Sequence, residues 1–223
     1  MPLFYQHTVN QNTKLAIWRI EEPEKFFLQK VPSPSSITNP HKRLQHLAGR
    51  WLLQFLFPEF PYDEIVIADT KKPYLPDEQY HFSISHCANY AAAIASKDKR
   101  VGIDVEVPTE KVEKIKYKFL NEEELSGVRY QLSAMSDGQL STSNPKLQTS
   151  NLKLLTLLWC AKEAVFKWWS YGGVDFREHI CLTTFDGSES GFINACFDKT
   201  GNSIDLKLRY KLFEELALVW VVK

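Results

Sequence analysis

Val101-Gly-Ile-Asp-Val-Glu-Val107 and, some fifty residues on, Trp159-Cys-Ala-Lys-Glu-Ala-Val-Phe-Lys167 are the stretches on which the reading of this chain turns. The first alternates. Val101, Ile103, Val105 and Val107 fall on one face of a strand, and Gly102, Asp104 and Glu106 on the other. Pro108 ends it. Around the second, Leu155, Leu158, Trp159, Val165, Phe166 and Trp169 recur at helical spacing, which predicts a long helix from Leu152 to near Gly172-Gly173. A strand and a helix thus supply three carboxylates (Asp104, Glu106, Glu163) and one cation (Lys167). Three hard oxygen donors with a cation suit a Mg²⁺-bound diphosphate.

Each half has an ordinary reading by itself. Asp104 and Glu106 share a strand face roughly 7 Å apart, as a solvated polar face would show. Glu163 and Lys167 stand four apart in the favourable order, as in a surface ion pair of about 0.3–0.5 kcal/mol. Bulky Trp159, Phe166 and Trp169 crowd the same region, which favours site residues over surface charge. Lys162 reads as the surface member, with its charge in water.

The 223 residues suit one large domain or two small ones. Hydrophobic residues make up 44%, enough for a core, and the formal net charge of zero argues against a nucleic-acid binder. Cys87, Cys160, Cys181 and Cys196 show no CxxC spacing, so neither a zinc site nor a disulfide framework is expected. Residues 1–20 are too polar for a signal peptide and no apolar run reaches spanning length, so a soluble cytoplasmic protein is expected.

Strands are predicted at 14–20, 65–68, 81–85, 90–95, 180–184, 204–210 and 216–222, and a short helix at 21–30. Asn39-Pro40 is a helix start, and Leu44, Leu47, Trp51, Leu52, Phe55 and Leu56 continue an amphipathic helix over 40–57. Asn121 with Glu124 resembles a capping box. The Ser-, Thr-, Asn- and Gln-rich stretch 133–151 reads as a flexible loop. Both halves run helix then strands, which suggests an α+β fold.

Anion-binding candidates precede the carboxylates. His41, Lys42, Arg43 and Arg50 cluster on the 40–57 helix, where Arg43 and Arg50 share a face; a solvated basic face is the ordinary alternative. Lys71-Lys72-Pro73 adds cations. Ser85-His86 ends a strand without a Gly-x-Ser-x-Gly elbow, so His86 reads as a phosphate donor rather than a triad base.

Lys72-Pro73, Phe82-Ser-Ile-Ser-His86, Val101 to Glu106, Phe119-Leu-Asn-Glu-Glu-Glu124 and Trp159 to Lys167 occur in an order that resembles the 4′-phosphopantetheinyl transferases of the Sfp type. The resemblance implies a pseudo-twofold duplication: two similar α+β halves, 1–107 and 108–223, in a monomer with the active site between them. It implies transfer of the phosphopantetheine arm of coenzyme A to a serine of an apo acyl or peptidyl carrier protein, with release of 3′,5′-ADP, as in a holo-[acyl-carrier-protein] synthase. Asp104, Glu106 and Glu163 would hold Mg²⁺. Lys167 and His86 would meet the diphosphate, Lys72 and Ser85 the nucleotide, and Arg43 and Arg50 the 3′-phosphate. Glu163, with Lys167 and Asp104, would carry the chemistry. The chain departs from the pattern at Lys71, where the family often has Gly, at Cys87 and at Leu120. Lys111, Lys114 and Lys118 fall on one helical face that could steer an acidic carrier.

Two rivals use the same residues. A Mg²⁺-dependent phosphohydrolase would release phosphate or nucleotide without a carrier. A non-catalytic module binding coenzyme A or a carrier would tolerate loss of a metal ligand.

Overall fold

The computed structural model describes residues 2–32, 37–135, 145–184 and 188–223. It is a mixed α+β chain that divides into two compact units. The first comprises Met1–Val105, Lys167–Tyr171 and Val222–Lys223; the second comprises Glu106–Phe166 and Gly172–Val221.

In the first unit β1 (Leu3–Asn10), β2 (Thr13–Arg19), β5 (His81–Cys87) and β6 (Tyr90–Ser96) form an antiparallel sheet of order β1-β2-β6-β5. Helix α2 (Pro40–Leu56) packs on it, preceded by the short α1 (Glu24–Leu28). The start of α2 is as expected: Pro40 occupies the first turn and the Asn39 side chain accepts from the Lys42 amide at 3.0 Å. Ala91, Ala93 and Ala95 share one face of β6 and are fully buried against α2, and such short side chains let a helix approach closely. At Gly49 the approach is so tight that a Cβ would come within 2.6 Å of Ile84 Cγ2 on β5. Trp18, Phe27 and Trp51 then fill the layer between helix and sheet, with Trp18 and Trp51 edge-to-face at 4.3 Å.

A small hairpin, β3 (Val66–Ile67) with β4 (Pro73–Tyr74), leads into β5. Lys71 holds its turn at φ +67°. This is a conformation that glycine adopts freely and a side chain resists, so the lysine keeps the turn at a backbone cost. Strand β7 (Val101–Glu106) lies beside β5: the amides of Ile103 and Val105 donate to Ser83 Oγ and Ser85 Oγ at 3.2 and 3.4 Å. The ordinary alternative for this strand, a solvated polar face, does not hold for Asp104. Val101 to Val105 are all buried, Asp104 at 2% exposure, because β7 is covered on both faces.

In the second unit β8 (Ile180–Thr184), β9 (Ser190–Phe197), β10 (Ile204–Leu212) and β11 (Ala217–Val222) pair antiparallel in sequence order. Helices α3 (Glu110–Phe119), α4 (Glu122–Met135) and α5 (Pro145–Trp169) precede them. The expected loop over 133–151 is helix at both ends, since α4 runs to Met135 and α5 starts at Pro145; residues 136–144 lie outside the described residues. Pro145 suits a first helical position despite the polar stretch after it. At its other end α5 stops at Trp169, short of the glycines, with Ser170 at φ +75°. Among the described residues no helix is long and apolar enough to cross a membrane.

Lys162 overturns its sequence reading. It is fully buried, and it donates to Glu124 Oε1 at 2.7 Å, to Phe176 O at 2.8 Å and to Ile180 O. Glu124 is the predicted capping-box acid: Oε2 accepts from Asn121 N at 2.9 Å, and Asn121 Oδ1 accepts from Glu124 N at 2.9 Å. Its Oε1 also accepts from Leu182 N at 2.8 Å. One ion pair therefore ties α4, α5 and β8. Lys162→Met leaves a buried carboxylate without a counter-charge and is expected to lower unfolding stability by about 3–5 kcal/mol. Lys162→Met with Glu124→Gln recovers part of that loss, as urea denaturation of the two variants will show.

Candidate active site

Asp104, at the centre of β7, is a carboxylate held almost entirely out of water. Burial of this kind requires compensation, and two side chains supply it. Lys167, in the last turn of α5, donates to Oδ1 at 2.6 Å, and Ser85 of β5 donates to the same oxygen at 2.6 Å. Lys167 also reaches Ser85 Oγ, at 2.9 Å. Asp104, Ser85 and Lys167 thus form one bonded trio. The other oxygen, Oδ2, is buried without a hydrogen-bond partner. Buried polar atoms seldom go unpartnered, and a carboxylate oxygen with its lone pairs unused is a suitable donor to a cation.

The remaining two carboxylates are placed in the second unit. Glu106, at the end of β7, is half-buried and accepts from Trp159 Nε1 at 3.4 Å. Trp159 is itself packed edge-to-face on Phe119 and at a tilt against Phe176, at 5.1 and 5.6 Å between centroids. Glu163 is half-buried on α5. Among the described residues no group of three His, Cys, Asp or Glu side chains forms a ready-made metal cage. Mg²⁺ does not need one: it is usually held by one or two carboxylates together with substrate phosphates and water. The unpartnered Asp104 oxygen and the carboxylate chemistry of the set therefore fit Mg²⁺.

Lys72 follows the strained turn and its ammonium donates to Lys167 O and Ser170 Oγ. Burial, with Arg100 and Lys167 nearby, pushes its pKa down to about 8. It lines a cavity of about 380 Å³ together with Pro73, Tyr74, Phe82, Arg100 and Tyr171, a size and an aromatic lining that suit a small ligand. The Arg100 guanidinium lies 5.0 Å from the Tyr171 ring centroid and donates to its hydroxyl. His81, also on the wall, is pushed below the usual imidazole value by burial and then by Arg100 and Lys72.

The basic helix is divided in its commitments. Arg43 is bound through two nitrogens to Glu24, at 2.6 and 2.9 Å, and donates to Ile37 O at 3.2 Å, so its charge is met within the chain. Arg50 is half-buried, and burial pushes its pKa down, with no acidic neighbour among the described residues to offset it. His86 is lowered chiefly by burial and also by Lys167 and His41, against an upward pull from a backbone hydrogen bond and then from Asp104. Sequence reading missed His46, Arg100 and Tyr171. His46 could have been found one helical turn before Arg50. Nothing in the local sequence joins Arg100 to Tyr171.

A family model for the 4′-phosphopantetheinyl transferase superfamily matches residues 100–221. The chain belongs to that superfamily. The match contains Asp104, Glu106, Glu163 and Lys167, whereas Lys72, Ser85, His86 and the basic helix lie before it. The chain is also similar to enterobactin synthase component D of Salmonella typhi, with 28% identity over 158 residues that cover 69% of this chain and 56% of the relative. For enterobactin synthase component D of Salmonella austin the identity is 29% over 151 residues, covering 66% and 53%. The chain thus spans about half the length of the curated relatives it matches.

The displaced pKa of Lys72 fixes the sign of a pH effect. A lysine whose folded value is about 8 binds fewer protons when folded than when unfolded between about 8 and its ordinary 10.4. Its burial therefore costs stability below pH 8, and that cost is relieved as pH rises toward 10. The stability of the parent relative to Lys72→Met should increase from pH 7.5 to 9.5 in urea denaturation.

Proposed function

We propose that this chain is a 4′-phosphopantetheinyl transferase. It moves the phosphopantetheine arm of coenzyme A onto a serine of an apo acyl or peptidyl carrier protein and releases 3′,5′-ADP. The observation that carries this reading is Asp104, with one oxygen fixed by Lys167 and Ser85 and the other buried and bonded to nothing. Family membership supports it. The division at 107/108 and the duplication of two similar halves belong to the same proposal.

Asp104, Glu106 and Glu163 are the proposed Mg²⁺ ligands. When bound, the ion supplies charge neutralisation for the diphosphate and for the phosphate that leaves. Lys167 adds positive charge where negative charge accumulates, and Ser85 keeps Asp104 oriented toward that ammonium. Glu163 accepts the proton of the carrier serine, directly or through a water. Lys72 and the cavity beside it take the nucleoside end of coenzyme A. Arg50 and His86 meet phosphate, with Arg43 a weaker candidate because Glu24 holds it.

Glu163→Gln and Asp104→Ala should each reduce labelling of an apo carrier protein by a fluorescent coenzyme A by on the order of 10²-fold or more. Full activity in both variants would sink this mechanism. Intact mass of the carrier after incubation with coenzyme A and Mg²⁺ separates transfer from hydrolysis, because only transfer adds a phosphopantetheine.

The carrier surface proposed is the outer face of α3. Lys111, Lys114 and Lys118 are exposed there, while Lys116 is paired with Glu113. An acidic partner would be steered by those three ammonium groups. Lys114→Glu with Lys118→Glu should raise the carrier KM, more at low salt than at high, and an unchanged KM removes α3 from the interface.

A further inference from the structure

The turn of α2 from Gln45 to Gly49 is clamped to the strand that carries His86. Gln45 Nε2 donates to Ala88 O, just past β5, at 2.8 Å, and Gly49 leaves no room for a Cβ against Ile84. His46 and Arg50, one turn apart on this helix, are thereby fixed near the end of β5, close enough for His86 to act on His46. Every charged group that bears on His46 is basic: Arg50 on its own helix and His86 on β5. From the other elements packed on α2, β6 presents buried alanines, and Glu24 of α1 is engaged by Arg43. His46 and Arg50 are half-buried and His86 stands exposed at the end of β5, within the field of Asp104. Among the described residues neither His46 nor Arg50 has a hydrogen bond or an ion pair, and a half-buried guanidinium in that state calls for an anion.

We propose that His46 is a further phosphate-recognising residue, joining Arg50 and His86 around a phosphate monoester and taking up a proton from solvent as that anion binds. The inference rests on the coenzyme A reading above, which supplies the monoester as the 3′-phosphate. Without ligand, burial, and then Arg50 and His86, hold His46 down to about 4, so at neutral pH it is an uncharged imidazole. A phosphate dianion among the three groups favours the charged form and raises that value. The sign follows from linkage. In the window between about 4 and the raised value, the complex holds one proton more than the free chain, so affinity rises as pH falls and is lost as pH rises through the raised value. His86 and His41 titrate nearby, and the phosphate has its own second pKa near about 6, so the comparison must be with a variant.

The test is calorimetric binding of coenzyme A and of 3′-dephospho-coenzyme A, without added metal, to the parent and to His46→Gln between pH 6 and 8.5. The parent should bind coenzyme A several-fold more tightly than the variant at pH 6.5, with the gap closing toward pH 8.5. Protein of either kind should bind the dephospho form alike. Titrations in buffers of different ionisation heat should show greater proton uptake by the parent. If His46→Gln does not fold, the His46 Cε1–H resonance of the parent gives the answer: its titration midpoint should move up from about 4 when coenzyme A is present. Equal pH dependence in parent and variant, or a midpoint that stays near 4 in the complex, overturns the proposal. Failure of the parent to bind coenzyme A at any pH overturns the functional reading itself.

Discussion

A carboxylate buried at the centre of a strand is the constraint around which the first unit is arranged. Asp104 is 2% exposed, and an ionised group in that position is tolerable only with charge and hydrogen bonds beside it. Lys167 and Ser85 answer that need, and they come from the end of α5 and from β5. The same demand propagates outward. Lys72 binds the carbonyl of Lys167 and the hydroxyl of Ser170, so the last turn of the helix is secured to the Lys-Pro turn. Ser170 ends the helix in a left-handed conformation. Two adjoining backbone positions, Lys71 and Ser170, thus carry strain next to the trio, as residues around functional groups often do.

A second buried ion pair does a different task. Lys162 and Glu163 are neighbours in sequence, yet a helix turns about 100° per residue, and their surroundings differ completely. Lys162 points into the second unit, where Glu124 and two carbonyls occupy its ammonium. Glu163 stays half-exposed. Replacing a buried pair with apolar groups is often neutral for stability, so the value of Lys162 is read best as registration. It fixes the rotation of α5 about its axis, and that rotation determines where Glu163 is presented.

Much of this was legible in the sequence. The start of α2 was readable from Asn39-Pro40, and the capping box from Asn121 and Glu124, because both depend on a few adjacent residues. The half-exposed β1 was missed, since an edge strand buries too little to alternate clearly. The run 145–151 was mistaken for loop because its polar residues offer no apolar stripe, although a helix is what continues through it. Asp104, Ser85 and Lys167 are each legible as candidates from their motifs, but the bonds joining them are not.

The residue types, their spacing and the family order were determined by the chain alone, because strand and helix periodicity and motif composition are local properties. The partner of each charge was decided only in three dimensions. Lys167 reached across to Asp104, Lys162 went inward, Arg43 turned to Glu24, and His46 came within the field of His86. Sequence spacing says which groups a helix or strand can present. Burial sets the cost of leaving each charge unpaired, and burial arises only when distant segments pack.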